Sequence, residues 1–299
     1  MRFSENLMKN FQVSLSVDLA NFYLPKVTFL RQMFYNCKSL QYLNISNFNA
    51  TYIFMDEMFY NCYSLTSIDL PKIRILVDGD IYSTFYNCSS LISIDLSNFY
   101  FYDLQEMGFS FYNCSSLISI KFFSNIEGDN IRNMSSSFFG CSSSVSIDLS
   151  NFNSTNLKYI DNLFSNCYSL KYINIPNLNT KNVLNMSGLF NNCSSLTSID
   201  VSNFNTFNVI DFSYMFYNCS SLISINLSNF ETQSVKNMAN MFYFDYKLSF
   251  IDISKFTESL NTKISLFNIL PSYGEIKLKK EFYKIIEDQI PSDWNITLI

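Results

Sequence analysis

The sequence predicts an α/β solenoid: an array of about nine coils of 26 residues, each a short parallel strand plus a short helical segment. Three observations carry this. The eight cysteines, Cys37, Cys62, Cys88, Cys114, Cys141, Cys167, Cys193 and Cys219, are spaced 25, 26, 26, 27, 26, 26 and 26 residues apart, and Asp245 stands at the next interval. A phenylalanine lies three residues before each of these positions, from Phe34 to Phe242. The hydrophobic period also changes at the cysteine, from helix-like before it to alternating after it. A fixed period of 20 to 50 residues is the mark of a stacked repeat.

Each coil is read from the cysteine position as zero. Apolar residues fall at −10, −7 and −3, as in Val209, Phe212 and Phe216. That spacing predicts a short α or 3₁₀ segment, stable only when docked. After the cysteine, Leu at +3 and aliphatic residues at +6 and +8, such as Leu222, Ile225 and Leu227, predict a short strand with one buried face. Ser-Asn-Phe follows in most copies and predicts a turn whose Phe re-enters the core. A single coil cannot bury its apolar side chains, so neighbouring coils must stack.

In chain order, residues 1–26 read as an incomplete N-terminal coil, with Phe11 in the cysteine position and a strand and turn over Val17-Asp18-Leu19-Ala20-Asn21-Phe22. Residues 27–256 read as the regular solenoid, opening on Val27, with Tyr52 at −10 of the next coil. Asp78-Gly79-Asp80 and Gly128-Asp129-Asn130 depart from the pattern, as does Ser144 at a leucine position; all read as tolerated loop drift. Residues 257–299 read as a C-terminal cap of strand, helix and strand, with Leu266-Phe267-Asn268-Ile269-Leu270 beginning a last partial coil.

Composition excludes several function classes. Apolar residues are 48% of the chain and charged residues 15%, with net charge −5 and no Lys/Arg-rich run. A nucleic-acid partner is therefore not expected. No run of 18 apolar residues exists, so no transmembrane segment is expected, and Met1-Arg2-Phe3-Ser4-Glu5-Asn6 does not read as a leader. There is no histidine, no phosphate-binding glycine loop and no nucleophile motif. The chain is expected not to be an enzyme and to need no cofactor or metal. The cysteines read as a ladder of reduced, buried thiols rather than a disulfide framework.

The candidate binding residues lie at +7, outward on the strand between two buried positions: Asn44, Asp69, Asp95, Lys121, Asp148, Asn174, Asp200, Asn226 and Asp252. With serine at +5 in most coils, they form a small, polar, mildly acidic face suited to a basic or hydrogen-bonding partner. Calcium between its carboxylates is the weaker expectation. The tyrosines at −2 read as half-buried supports, and the asparagines at −1 as a turn ladder bonding to backbone.

Leu-x-x-Ile-Asp-Leu-Ser-Asn-Phe, preceded by Met-Phe-Tyr-Asn-Cys-Ser-Ser, resembles the repeat of BspA-like leucine-rich-repeat surface proteins, a repeat also associated with mycoplasma lipoproteins. The resemblance covers roughly residues 11–256. It implies a leucine-rich-repeat-like solenoid used for adhesion or protein–protein interaction with a host or self surface protein. It also implies a cell-surface or secreted location. The alternative is a cytoplasmic scaffold of the same fold.

Overall fold

The computed structural model describes residues 8–10, 15–21, 30–47, 54–75, 80–101, 103–123, 130–152, 155–257, 264–267 and 270–299, with backbone alone for 73–75. Met1-Arg2-Phe3-Ser4-Glu5-Asn6, Phe11, Phe22, Val27, Tyr52, Asp78-Gly79, Gly128-Asp129 and Asn268-Ile269, singled out above, lie outside the described residues. The chain divides into two compact units, Met1–Ile147 and Asp148–Ile299. Each is a parallel β-solenoid.

In the first unit, β1 (Ser16–Asp18), β2 (Tyr42–Asn44) and β3 (Ser67–Asp69) form one parallel sheet. Next, β4 (Ile73–Ile75) and β5 (Ser93–Asp95) are followed by β6 (Phe99–Phe101) and β7 (Ser119–Lys121). There β6 pairs with β4, and β7 with β5. The strand β8 (Ser146–Asp148) spans the unit boundary. In the second unit, β9 (Tyr172–Asn174) is followed by a parallel sheet of β10 (Ser224–Asn226), β11 (Phe250–Ile253), β12 (Glu275–Leu278) and β13 (Asn295–Leu298). The helix α1 (Lys280–Ile286) and a 3₁₀ turn (Glu287–Gln289) connect β12 to β13. Phe282 of α1 is buried edge-on to Phe256, 5.8 Å between ring centres. This docks α1 on the segment that follows β11.

The expected helical segment of each coil is not there; α1 is the one α-helix among the described residues. Positions −7 to zero form two successive four-residue turns instead. In the first coil, the Met33 amide donates to Leu30 O and the Cys37 amide to Phe34 O, both at 3.1 Å. The third residue of each turn is left-handed, Gln32 at φ 55° and Asn36 at φ 58°, in the manner of a type II turn. The same pair recurs through Glu57/Asn61, Ser83/Asn87, Phe109/Asn113 and Ser136/Gly140. In the second unit it recurs through Asn162/Asn166, Gly188/Asn192, Tyr214/Asn218 and Asn240/Phe244. A left-handed residue at every fourth position stops a right-handed helix. Alternate amides point along the stack: Leu30, Gln32, Phe34 and Asn36 donate to Phe54, Asp56, Met58 and Tyr60 carbonyls at 2.8–3.2 Å. Half the turn-side backbone is thus bonded to the next coil, which a helix bonded within itself does not allow.

Aromatic side chains follow this register. Phe34, Phe59, Phe85, Phe111 and Phe138 stack at 5.3–5.6 Å in the first unit, all buried. Phe164, Phe190, Phe216, Phe242 and Phe267 stack at 5.4–5.7 Å in the second. Beside the first column, half-buried Tyr35, Tyr60, Tyr86, Tyr112 and Phe139 stack at 4.4–4.8 Å. The −1 asparagines bond to one another, not to backbone. Asn61 and Asn87 donate to Asn36 and Asn61 side chains at 2.9 Å, and Asn192 and Asn218 to Asn166 and Asn192 at 2.7 and 2.8 Å. The left-handed backbone, which Asn tolerates, aims each amide along the stack.

All eight cysteines are buried free thiols. Cys62, Cys88, Cys114 and Cys141 donate to the Phe34, Phe59, Phe85 and Phe111 carbonyls at 3.1–3.2 Å. Cys193 and Cys219 do the same to Phe164 and Phe190. Burial pushes the Cys62, Cys88, Cys114, Cys193 and Cys219 thiols well above their usual range, so they carry no thiolate at neutral pH. Native protein is expected to resist alkylation at pH 7.5, and denatured, unreduced protein to titrate eight thiols by mass shift. A denatured count well below eight would mean that some of these sulfurs are bridged.

Candidate interaction face

The strand side of each unit presents the +5 and +7 side chains outward while +6 and +8 point into the core. Ser93 and Asp95 are exposed around buried Ile94, and Ser224 and Asn226 around buried Ile225. Parallel register brings equivalent residues into rows. Asp18, Asn44 and Asp69 lie side by side on β1, β2 and β3, and Asp95 lies opposite Lys121. In the second unit Asn174 donates to Asp148 at 3.0 Å, and Asn226 lies beside Asp252. Asp200 is exposed in the same unit. The candidate residues therefore form rows within each unit.

The rows are longer than the sequence reading proposed. Asp18 precedes Asn44, while Lys277 and Thr297 follow Asp252 on β12 and β13. The Ile-Lys-Leu pattern at 276–278 copies the +6 to +8 positions and was the available signal. An exposed aliphatic row at +4 was also missed. Ile92, Ile118 and Val145, 50%, 57% and 43% exposed, flank the polar row of the first unit. The Ile118 amide donates to Ile92 O at 2.9 Å, placing the first two in register.

The +7 side chains also have a local task. Oδ1 of Asn44, Asp95, Asp148, Asp200, Asn226 and Asp252 accepts the amide of the serine two residues on, at 2.8–3.1 Å. These are Asx turns, and they end the strand. Asp and Asn both supply the oxygen, which explains their interchange at this position. Lys121 cannot accept, and instead makes a 3.1 Å ion pair to Asp95. The Ser97 hydroxyl and amide hold the Asp95 carboxyl below its usual range, Lys121 adding to the effect. The Ser150 amide and hydroxyl do this for Asp148, and the Ser202 hydroxyl and amide for Asp200. These carboxylates are ionised at neutral pH; Lys121 takes the Oδ2 side of Asp95, while Asp148 and Asp200 keep theirs for a partner.

Among the described residues, no group of three or more His, Cys, Asp or Glu comes together to hold a metal ion. No described helix is long and apolar enough to cross a membrane.

Fold and face together define a repeat protein of parallel, leucine-containing coils with a rowed polar strand face. The family described as "Mycoplasma protein of unknown function, DUF285" matches residues 3–122, 79–174 and 132–256, and the chain belongs to that family. Comparison with curated proteins found no match. Among solved structures, the chain is similar to a leucine-rich repeat protein from Bacteroides ovatus, at 17% identity over 92% of this chain and 88% of that one, TM-score 0.40. It is also similar to an internalin from Listeria monocytogenes, at 15% identity over 87% and 76%, TM-score 0.33. A leucine-rich repeat protein of Leptospira interrogans has 13% identity over 91% and 76%, TM-score 0.30.

Proposed function

We propose that the chain is a non-enzymatic interaction module of the BspA-like kind, displayed at a cell surface or secreted, that binds a host or self surface protein through its strand face. The observation that carries this reading is the rowed face itself. Its ionised carboxylates, amides and serine hydroxyls repeat at the spacing of neighbouring strands, and in the first unit an exposed aliphatic row runs beside them. Contiguous exposed apolar residues rimmed by polar groups mark interaction surfaces. Rigid backing by stacked coils keeps the ordering cost of association low.

The test is a binding screen against host-matrix and self-surface proteins, with Asp148→Lys/Asp200→Lys as the charge-reversed control. Each buried hydrogen-bonded charge at an interface accounts for about 2–5 kcal/mol on truncation, so the double variant is expected to weaken binding by tenfold or more. Asp148→Asn/Asp200→Asn keeps both Asx turns and separates loss of charge from loss of the turn. Unchanged binding by the lysine variant removes the strand face from the proposal. The second reading, an intracellular scaffold, is favoured by the eight free thiols. Proteolysis of intact cells distinguishes the two, since only a displayed chain is cut.

A further inference from the structure

In the second unit, a groove of about 390 Å³ lies where the chain turns away from the strand face. It is lined by Asn203, Asn205, Thr206, Phe207, Asn229 and Glu231, with Phe204 behind them. Most of its hydrogen-bond donors are already committed to the solenoid. The Asn203 side-chain amide donates to the Ile175 and Pro176 carbonyls at 3.0 and 3.1 Å. That of Asn229 donates to Val201, Ser202 and Phe204 carbonyls at 3.0–3.2 Å. The Thr206 hydroxyl donates to Glu231 O at 3.1 Å and accepts the Glu231 amide at 2.7 Å. Asn205 spends its Oδ1 on the Phe207 amide, which leaves its side-chain NH₂ as the remaining donor.

What the groove has left is mostly acceptors. Asn203 and Asn229 retain Oδ1, and Glu231 retains one carboxylate oxygen, the other accepting Gln233 Nε2 at 3.1 Å. Phe207 offers a ring that is 56% exposed. A second hollow of about 310 Å³ shares Asn203 and continues onto the strand face past Pro176, Ser202 and Asp200. Asp200 is held ionised there by Ser202. No Lys or Arg lines either hollow.

Acceptors, a carboxylate and an aromatic face together, with almost no donors, match a planar cation rich in N–H groups. We propose that this groove receives the guanidinium of an arginine carried on an extended segment of the partner, its plane against Phe207 and its N–H groups shared between Glu231 and the asparagine oxygens. The second hollow carries the segment's backbone onto the strand face. The inference rests on the interaction reading above and names the chemistry of the partner.

The full chain titrated with acetyl-Gly-Arg-Gly-amide, followed by amide chemical shifts, is expected to show saturable changes at residues 203–207 and 229–231. The citrulline peptide, which lacks the charge, is expected to bind about tenfold more weakly or not at all. Glu231→Gln and Phe207→Ala should each weaken the arginine peptide about tenfold. Neither Glu231's carboxylate nor the exposed Phe207 ring holds the core, so both variants should melt with the parent. Equal binding of the citrulline or lysine peptide, unchanged affinity in Glu231→Gln, or no saturable shifts at these residues would each overturn the assignment. The peptide titration involves no natural partner. Its failure is therefore separate from failure of the strand-face screen.

Discussion

Phe190→Ala is expected to destabilise the second unit by about 3–5 kcal/mol, the range for removing a fully buried aromatic ring from a close-packed core. Phe190 has no exposed surface and lies between Phe164 at 5.7 Å and Phe216 at 5.4 Å. Both neighbours are held by turns bonded to adjoining coils: the Phe164 amide donates to Leu189 O and the Phe216 amide to Met241 O. The column therefore cannot close the gap without breaking that backbone ladder, and most of the cavity persists. Because a stacked array melts as coupled neighbours, the damage should spread to adjacent coils. Hydrogen exchange is the right measurement, with protection falling first between the 164 and 216 coils. Phe190→Leu, which refills much of the volume, should lose markedly less. Protection indistinguishable from the parent in the alanine variant would mean that the phenylalanine register is wrong.

Asp245→Cys is expected to stabilise the chain at neutral pH, by about 1–3 kcal/mol, the usual cost of a buried polar group left unbonded. Asp245 occupies the cysteine position of the ninth coil, fully buried, and neither carboxyl oxygen completes a hydrogen bond among the described residues. Burial pushes its carboxyl well above the ordinary 3.8; the nearby Cys219 amide eases the shift without offsetting it. A thiol there would be the ninth rung, placed to meet the next carbonyl in the series Phe164, Phe190. The raised folded pKa also sets the sign of a pH dependence. The native state holds this proton more tightly than the unfolded chain, so the stabilisation is complete below about pH 4 and is lost as pH rises through the folded value. Denaturant midpoints of the parent should fall between pH 4 and 7 relative to those of Asp245→Cys. Asp245→Asn should also lose the dependence, but without the stability gain, since its amide remains unbonded. Parallel pH profiles for parent and Asp245→Cys would place the carboxylate in contact with a partner charge or water.

Legibility from sequence varied with the position in the coil. Inward positions were plain because the apolar residues repeat at fixed offsets: Phe at −3, Leu at +3, and aliphatics at +6 and +8. The strand alternation was equally direct, since its period of two has no competing explanation in a short run bounded by Ser-Asn. The −10, −7 and −3 spacing was ambiguous. A helix and a run of four-residue turns both return to the same face every three or four residues. The discriminating marks were small: asparagine at −1 in most coils, Gly140 in its place once, and Gly188 four residues earlier in another coil. Each residue type tolerates a left-handed backbone, and their four-residue separation fits turns rather than a helix.

The candidate face was legible as a row but not in its local role. The pairing of Asp or Asn at +7 with Ser at +9 is an Asx-turn signature, visible in Asp95-Leu96-Ser97 and Asp200-Val201-Ser202. A buried threonine ladder was missed for a different reason. Thr180, Thr206 and Thr232 stand 26 residues apart, each accepting an amide from the next coil and donating to its carbonyl. The period was there to be read, but a hydroxyl at a regular offset does not say whether it faces water or the stack.

By itself, the sequence determined the repeat length, the inward residues and the side from which polar groups project, because these follow from periodicity and the cost of leaving apolar surface wet. The tertiary structure decided how the backbone closes each coil, which amides bond along the stack and which side-chain oxygens remain for a ligand. Those depend on hydrogen-bond partners a full coil away in the chain, and a partner at that distance is fixed only when the coils are stacked.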